Sequence, residues 1–206
     1  MAPLGRAALI LAFGLVVYAL VAGSYAAWRR RRRLALSAQN ALLAALPATL
    51  VAAAVLLVAL GRRDMTFVYV AQHTSHELPL GYALSAFWGG QEGSLLLWFL
   101  VLMAYATLSV WLNRRSRELM AWTVPVFGLI GGFFAFMLCF VSSPFNVQPA
   151  PSDGAGMVPS LQNPYMLAHP PMLYLGYVGL AVPFAFAMGA LLSGRTDERW
   201  IVATRR

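Results

Sequence analysis

Charge is scarce in this chain. Asp, Glu, Lys and Arg together make up 11% of its 206 residues, where a water-soluble domain carries roughly 25%. Hydrophobic residues make up 60% and mean hydropathy is +0.69, so the polar side chains are too few to cover a water-facing surface. The composition argues against a soluble enzyme and against a disordered chain. Cysteine is nearly missing too: the lone Cys139 allows no internal disulfide, no CxxC redox pair and no CxxCH attachment site in this chain. Lysine is absent, so all 15 basic residues are arginine, and they outnumber 7 acidic ones for a net charge of +8. In a soluble protein that excess would suggest nucleic acid. Here the arginines lie in short clusters between apolar runs, which is a topology pattern, and no nucleic-acid partner is expected.

What is present is five apolar stretches, each matching the roughly 20 residues needed to cross a hydrocarbon core. They are Ala7–Trp28, Ala41–Leu60, Gly93–Leu112, Ala121–Val141 and Pro171–Leu192. Each must be helical, because an isolated strand leaves its backbone unpaired in lipid. The fold expected is all-α: a polytopic membrane protein of about five helices, with one membrane domain over residues 1–206. The first stretch is too long for a signal peptide, and its arginines follow it, so it reads as a retained span. Arg29–Arg33, Arg114, Arg115, Arg117, Arg195, Arg199, Arg205 and Arg206 fall on one side of this layout, twelve in all, and Arg6, Arg62 and Arg63 on the other. The positive side stays in the cytoplasm, so the N-terminus is expected outside and the C-terminus inside. Segments 61–92 and 142–170 then lie outside and hold all three histidines. The inner loops are short and basic and show no catalytic domain. No repeat with matched Gly or Pro breaks points to a transporter.

The first outer segment contains His73 and His76, three residues apart, which would share a face if helical. A metal would need further ligands from elsewhere, and the alternative is two solvated interfacial histidines. Glu92 stands where the third span begins, among Gly89, Gly90, Gly93 and Ser94. A carboxylate at that depth is costly and points to function; the alternative is a first-turn Glu complementing the helix dipole. The glycines allow close approach of a neighbour. In the second outer segment Pro170 disfavours helical geometry at His169, and Pro171 suits a first helical turn. His169 is therefore expected on a rigid joint at the mouth of the fifth span. The positive helix start favours the neutral imidazole that ligates metals. The Tyr, Met and Leu run that follows also fits ordinary helix packing and an interfacial aromatic belt.

The two motifs Trp88-Gly-Gly-Gln-Glu-Gly-Ser-Leu-Leu-Leu-Trp98 and Leu161-Gln-Asn-Pro-Tyr-Met-Leu-Ala-His-Pro-Pro-Met-Leu-Tyr-Leu-Gly-Tyr177, in this order and spacing, resemble the N-terminal part of the CcmF-type cytochrome c haem lyases. The NrfE-type lyases carry similar motifs. The resemblance implies a role in cytochrome c biogenesis at the bacterial inner membrane, with the functional loops on the periplasmic face. It implies haem as the cofactor handled, delivered by a CcmE-type chaperone and joined to CxxCH of an apocytochrome c presented by a CcmH-type subunit. It implies that His169 is an axial ligand to the haem iron, with Trp88, Glu92 and Tyr174 as further candidates for contact with haem. The family's tryptophan-rich WWD platform and its other histidines are absent from these 206 residues, and Gly156-Met-Val-Pro-Ser160 departs from the family's pattern. A fragment or one piece of a split lyase is therefore expected, inactive alone and completed by the remaining C-terminal part. No nucleophilic triad is present, so no catalytic side chain is assigned. The competing reading is a structural subunit of a respiratory redox complex, with Glu92 near a quinone or proton path.

Overall fold

The structure, a computed structural model, describes residues 1–113, 116–194 and 201. Its elements are α1 (Ala2–Trp28), α2 (Arg32–Arg62), α3 (Val68–His73), α4 (Leu80–Ser85), a short 3₁₀ turn Ala86–Trp88, α5 (Gln91–Asn113), α6 (Arg117–Phe136) continued by a π-helical turn Met137–Val141, a 3₁₀ turn Pro159–Leu161, α7 (Pro164–Gly179) and α8 (Ala181–Leu192). The described residues contain no strand, only one antiparallel bridge between Phe67 and Val147. Five helical segments are long and apolar enough to cross a membrane: Ala2–Trp28, Arg32–Arg62, Gln91–Asn113, Glu118–Val141 and Pro164–Leu192. The all-α, five-span expectation holds. Arg114, Arg115, Arg195, Arg199, Arg205 and Arg206, on which the expected orientation leans, lie outside the described residues.

Two helix starts differ most from the expected spans, for local reasons. α2 begins at Arg32 rather than Ala41, because only Arg29–Arg31 separate it from α1, and Arg30 turns the chain with a left-handed φ of 53°. The fifth span begins at Pro164 rather than Pro171. Asn163 caps it, its side-chain oxygen accepting from the Tyr165 N–H at 3.0 Å, and Pro164 takes the first helical position, where its missing N–H costs nothing. The span then breaks once, at Leu180, so α7 and α8 are two segments of one crossing.

Small residues set the packing of the scaffold. α1 buries Ala12, Val16 and Ala19 completely, and α2 does the same with Ala38, Leu42, Ala45 and Ala52. Lipid tails are as apolar as leucine, so helices in a membrane associate through close van der Waals contact rather than through burial from water. Gly128 of α6 shows how close: a Cβ there would lie 2.8 Å from the Leu20 nitrogen and 2.9 Å from the Val16 oxygen of α1. Outward-facing Ile10, Leu11, Val21, Leu50, Val51, Leu129 and Phe133 remain exposed, as lipid-facing side chains should.

The two outer segments are stitched together, a feature that periodicity does not reveal. The Val68 N–H donates to Asn146 O and the Gln148 N–H to Thr66 O, at 2.9 and 2.8 Å. The Ala155 N–H donates to Ala71 O and the Gly156 N–H to Thr74 O, at 2.7 and 3.0 Å, supplying partners to carbonyls at the end of α3. The Asp153 carboxylate accepts from the His76 backbone N–H at 2.9 Å and from the Gly154 N–H at 2.7 Å. These two donors, His76 first, hold its carboxyl below the usual carboxylate range. The second outer segment thus reaches the start of α7 from a fixed platform.

Candidate functional site

α5 and α7 bring the two long motifs side by side. Ser94, Trp98 and Tyr105 recur at helical spacing on one face of α5. The Tyr174 hydroxyl donates to Ser94 Oγ at 3.2 Å, and Ser94 Oγ donates to the Trp88 carbonyl at 3.0 Å. Lower down, the Tyr105 hydroxyl donates to the Leu175 carbonyl at 3.2 Å. Trp98 lies between these contacts, 5.7 Å from the Tyr174 ring and 6.5 Å from the Tyr177 ring, and it also stacks on Phe134 at 5.5 Å. Above them all, Trp88 Nε1–H donates to the Met166 carbonyl at 3.3 Å. Of the four candidate site residues, Trp88 and Tyr174 are therefore joined through Ser94, and Trp88 reaches the first turn of α7, one turn before His169.

His169 is exposed. It lines an open concavity of about 500 Å³ with Pro164, Tyr165, Met166, Ala168 and Met172. Tyr165 is 81% and Met172 66% exposed, so α7 presents an apolar strip that none of the described residues covers. The expected joint is corrected here: His169 is helical, in the second turn of α7, and both Pro170 and Pro171 lie inside the helix. The extended preference before a proline gives way because the Asn163 cap and Pro164 have already started the helix, and the indole of Trp88 accommodates a carbonyl that Pro170 leaves free. An apolar, open face with one imidazole at its edge suits one side of a flat, apolar, metal-bearing ring.

The other candidates fall elsewhere. Glu92 is half-buried in the first turn of α5, where it complements the helix dipole. Its carboxylate makes no hydrogen bond or ion pair among the described residues. His73 and His76 do not share a helix face: α3 ends at His73, and Thr74 is extended with φ −136° and ψ 168°. His73 is half-buried. Its ring stacks on Tyr69 at 4.3 Å and its Nδ1 lies 2.8 Å from the Tyr69 carbonyl. His76 is exposed and engaged through its backbone. No group of three or more His, Cys, Asp or Glu side chains suited to a metal ion occurs among the described residues.

Tyr69 was not legible as a site residue from sequence. It is 2% exposed, its hydroxyl donates to Ala86 O at 2.7 Å, and it accepts from the Gly90 N–H at 3.1 Å. Burial pushes its hydroxyl well above the ordinary tyrosine value. The glycines expected to allow close approach do so against this residue. A Cβ on Gly93 would collide with the Phe87 carbonyl and the Tyr69 hydroxyl, and one on Gly90 with the His73 ring. The neighbour that requires glycine is α3, in the chain itself.

A family model described as cytochrome C assembly protein matches residues 88–203, more than half the chain and inclusive of both motifs. The chain belongs to the cytochrome c assembly protein family. Within that family it is 38% identical over 200 residues to the cytochrome c-type biogenesis protein CcmF of Pseudomonas aeruginosa, covering 96% of this chain and 30% of that one. It is 38% identical to CcmF of Escherichia coli over 69% of this chain and 22% of that one, and 38% identical to NrfE of Haemophilus influenzae over 66% and 22%. The solved structure of the cytochrome c haem lyase CcmF superposes with a TM-score of 0.85 at 30% identity, covering 99% of this chain and 32% of that one. The chain thus spans less than a third of the length of these relatives. A cytochrome c assembly protein of this kind is a membrane protein concerned with cytochrome c biogenesis. The respiratory structural-subunit reading is not favoured: its one supporting residue, Glu92, sits in the first turn of a helix inside this family's motif.

Proposed function

We propose that this chain is the His-Pro-Pro-bearing part of a cytochrome c haem lyase, and that its outer face holds haem while thioether bonds form to an apocytochrome c. The observation that carries the reading is the convergence of the two motifs on α5 and α7, which leaves His169 at the edge of an open apolar face. Haem is the substrate here. The chemistry it brings is addition of a cysteine S–H across each vinyl group, with no atom lost. The protein's task is then orientation. His169 supplies a ligand nitrogen, Tyr165, Met166 and Met172 supply apolar contact, and α7 is held in place by Trp88 of the turn preceding α5 and by Ser94 and Tyr105 of α5. One imidazole on an open face is a weak site alone. The remaining C-terminal part of the lyase is therefore needed to cover the strip, as a continuation or as a separate chain. A haem chaperone delivers the substrate and an apocytochrome-presenting subunit offers the cysteines, both on the periplasmic side of the bacterial inner membrane. In this reading Trp88 and Tyr174 act by fixing α7.

Haem absorbance per purified complex tests the reading. The 206-residue chain should purify with little haem, and co-expression with the C-terminal part should retain it. His169→Ala should then remove most of the haem, while His73→Ala and His76→Ala should remove little. Full retention with His169→Ala, together with loss in His73→Ala, would move the site to the first outer segment. Topology reporters after Ala35, Leu78 and Ala155 should read inside, outside and outside. An inside signal at Leu78 would defeat the assignment of a periplasmic face.

A further inference from the structure

We propose that Trp88 is a positioning residue for His169, acting through the carbonyl that Pro170 leaves without a partner. In an α-helix the carbonyl of residue 166 accepts from the N–H of residue 170. Pro170 has no N–H, and its ring crowds the carbonyl four residues back. An unpaired carbonyl away from water is costly, and in a membrane helix it must be met by a side chain, a neighbouring helix or water. The indole nitrogen of tryptophan is a donor only, and here it donates to Met166 O at 3.3 Å. Trp88 thus supplies from a different segment the hydrogen bond that residue 170 would have supplied from within.

The donor itself is held firmly. The Trp88 carbonyl accepts from Ser94 Oγ, and the turn Ala86–Trp88 is tied to buried Tyr69, which donates to Ala86 O at 2.7 Å and accepts from the Gly90 N–H at 3.1 Å. Met166 and His169 are three apart in α7 and both line the open concavity, so they are neighbours on one helix face. The direction of the His169 ring follows the backbone between residues 166 and 170, which this bond fixes. A buried anchor, a rigid turn, an indole and a proline-freed carbonyl together aim one imidazole. The inference rests on the reading of His169 as a haem ligand, but the bond has a consequence that needs no haem.

That consequence gives the experiment. Pro170→Ala restores an N–H inside the helix and should make the indole donor redundant. Four 206-residue chains are compared in nanodiscs without haem: the natural chain, Trp88→Phe, Pro170→Ala and the double variant. The readout is amide hydrogen exchange in the segment from Leu161 to Tyr177. Trp88→Phe should speed exchange there by about fivefold, the effect of one hydrogen bond. In the Pro170→Ala background the same substitution should change it by less than about twofold, a coupling that a double-mutant cycle measures. An equal effect in both backgrounds would show that Trp88 acts by packing and would overturn the proposal. Should the phenylalanine variant fail to accumulate, Trp88→His, which keeps a ring N–H, should accumulate and exchange more slowly than Trp88→Ala; equal exchange in those two would also overturn it.

Haem retention is then measured for the same four chains, each completed with the C-terminal part, beside His169→Ala. Loss of haem with Trp88→Phe, recovered from the Pro170→Ala baseline in the double variant, supports the positioning role. Unchanged retention with Trp88→Phe while His169→Ala loses haem overturns it. Full retention with His169→Ala removes the ligand reading and the positioning role with it, yet leaves the exchange pattern intact, so the two failures are told apart.

Discussion

The scaffold around α1, α2 and α6 and the crossing that starts with α7 are both apolar, yet they are held in different ways. α1 meets α2 and α6 along rows of alanine and glycine, with Val16 and Leu42 completely buried and backbones close enough that Gly128 has no room for a methyl group. α7 leaves Tyr165, Met172 and Tyr177 largely exposed and is attached to α5 by named hydrogen bonds and one tryptophan. The first arrangement is redundant: many small contacts each contribute little, and side chains of the right size suffice. The second is sparse and directional. If α7 offers one face to haem, as proposed, it cannot bury that face and must be secured by a few specific groups. In the function proposed here, the haem-facing side is where packing is thinnest.

The largest effect should come from breaking the redundant side. Gly128→Leu pushes a side chain into the α1 backbone, and overpacking of this kind costs about 1–3 kcal/mol or more; the yield of folded protein by size-exclusion chromatography should fall sharply. Near-normal yield would mean that the scaffold yields as easily as α7, and the contrast would collapse. Next comes Gly93→Leu, which displaces Phe87 and Tyr69. It should lower both accumulation and haem capture by the completed complex, and normal values for both would make the glycine motif dispensable. Tyr105→Phe sharpens the comparison from the sparse side. Losing one hydrogen bond to Leu175 should cost about 1 kcal/mol, seen as faster exchange within α7 with no change in α1 or α2.

The smallest effect concerns the stitch between the outer segments. The Asp153 carboxyl is held below the usual range by the His76 and Gly154 N–H groups. A depressed folded pKa means that its contribution is present above the unfolded carboxylate value and fades as pH falls through the lowered folded one. Exchange in residues 150–156 should therefore be flat from neutral pH down to about pH 4, after correction for intrinsic rates, and rise below it. Asp153→Ala should remove that rise and speed exchange at neutral pH by about twofold, the modest effect expected of an exposed group. A rise centred near pH 6 would assign the stitch to a histidine instead.

The sequence by itself determined the solvent and the element type. Charge near one residue in ten and five separate apolar runs of about 20 residues leave membrane helices, because a lone segment of that length pairs its own backbone in lipid only as a helix. It also determined the family, since the Trp88 to Trp98 and Leu161 to Tyr177 motifs are long and ordered. The tertiary structure alone decided how those motifs meet. Local rules put His169 outside the helix, because each proline was weighed against its own neighbours; the helix continues because a donor 78 residues away takes the freed carbonyl. Spacing would put His73 beside His76 on one face of a helix, but α3 stops at His73, where Tyr69 holds the ring and Gly90 closes over it. Tyr69 itself carried no sequence signal, as a tyrosine in an apolar loop looks like any interfacial aromatic. Periodicity reports which face of a helix is apolar; it cannot report which distant group completes a hydrogen bond, because that depends on how the helices cross.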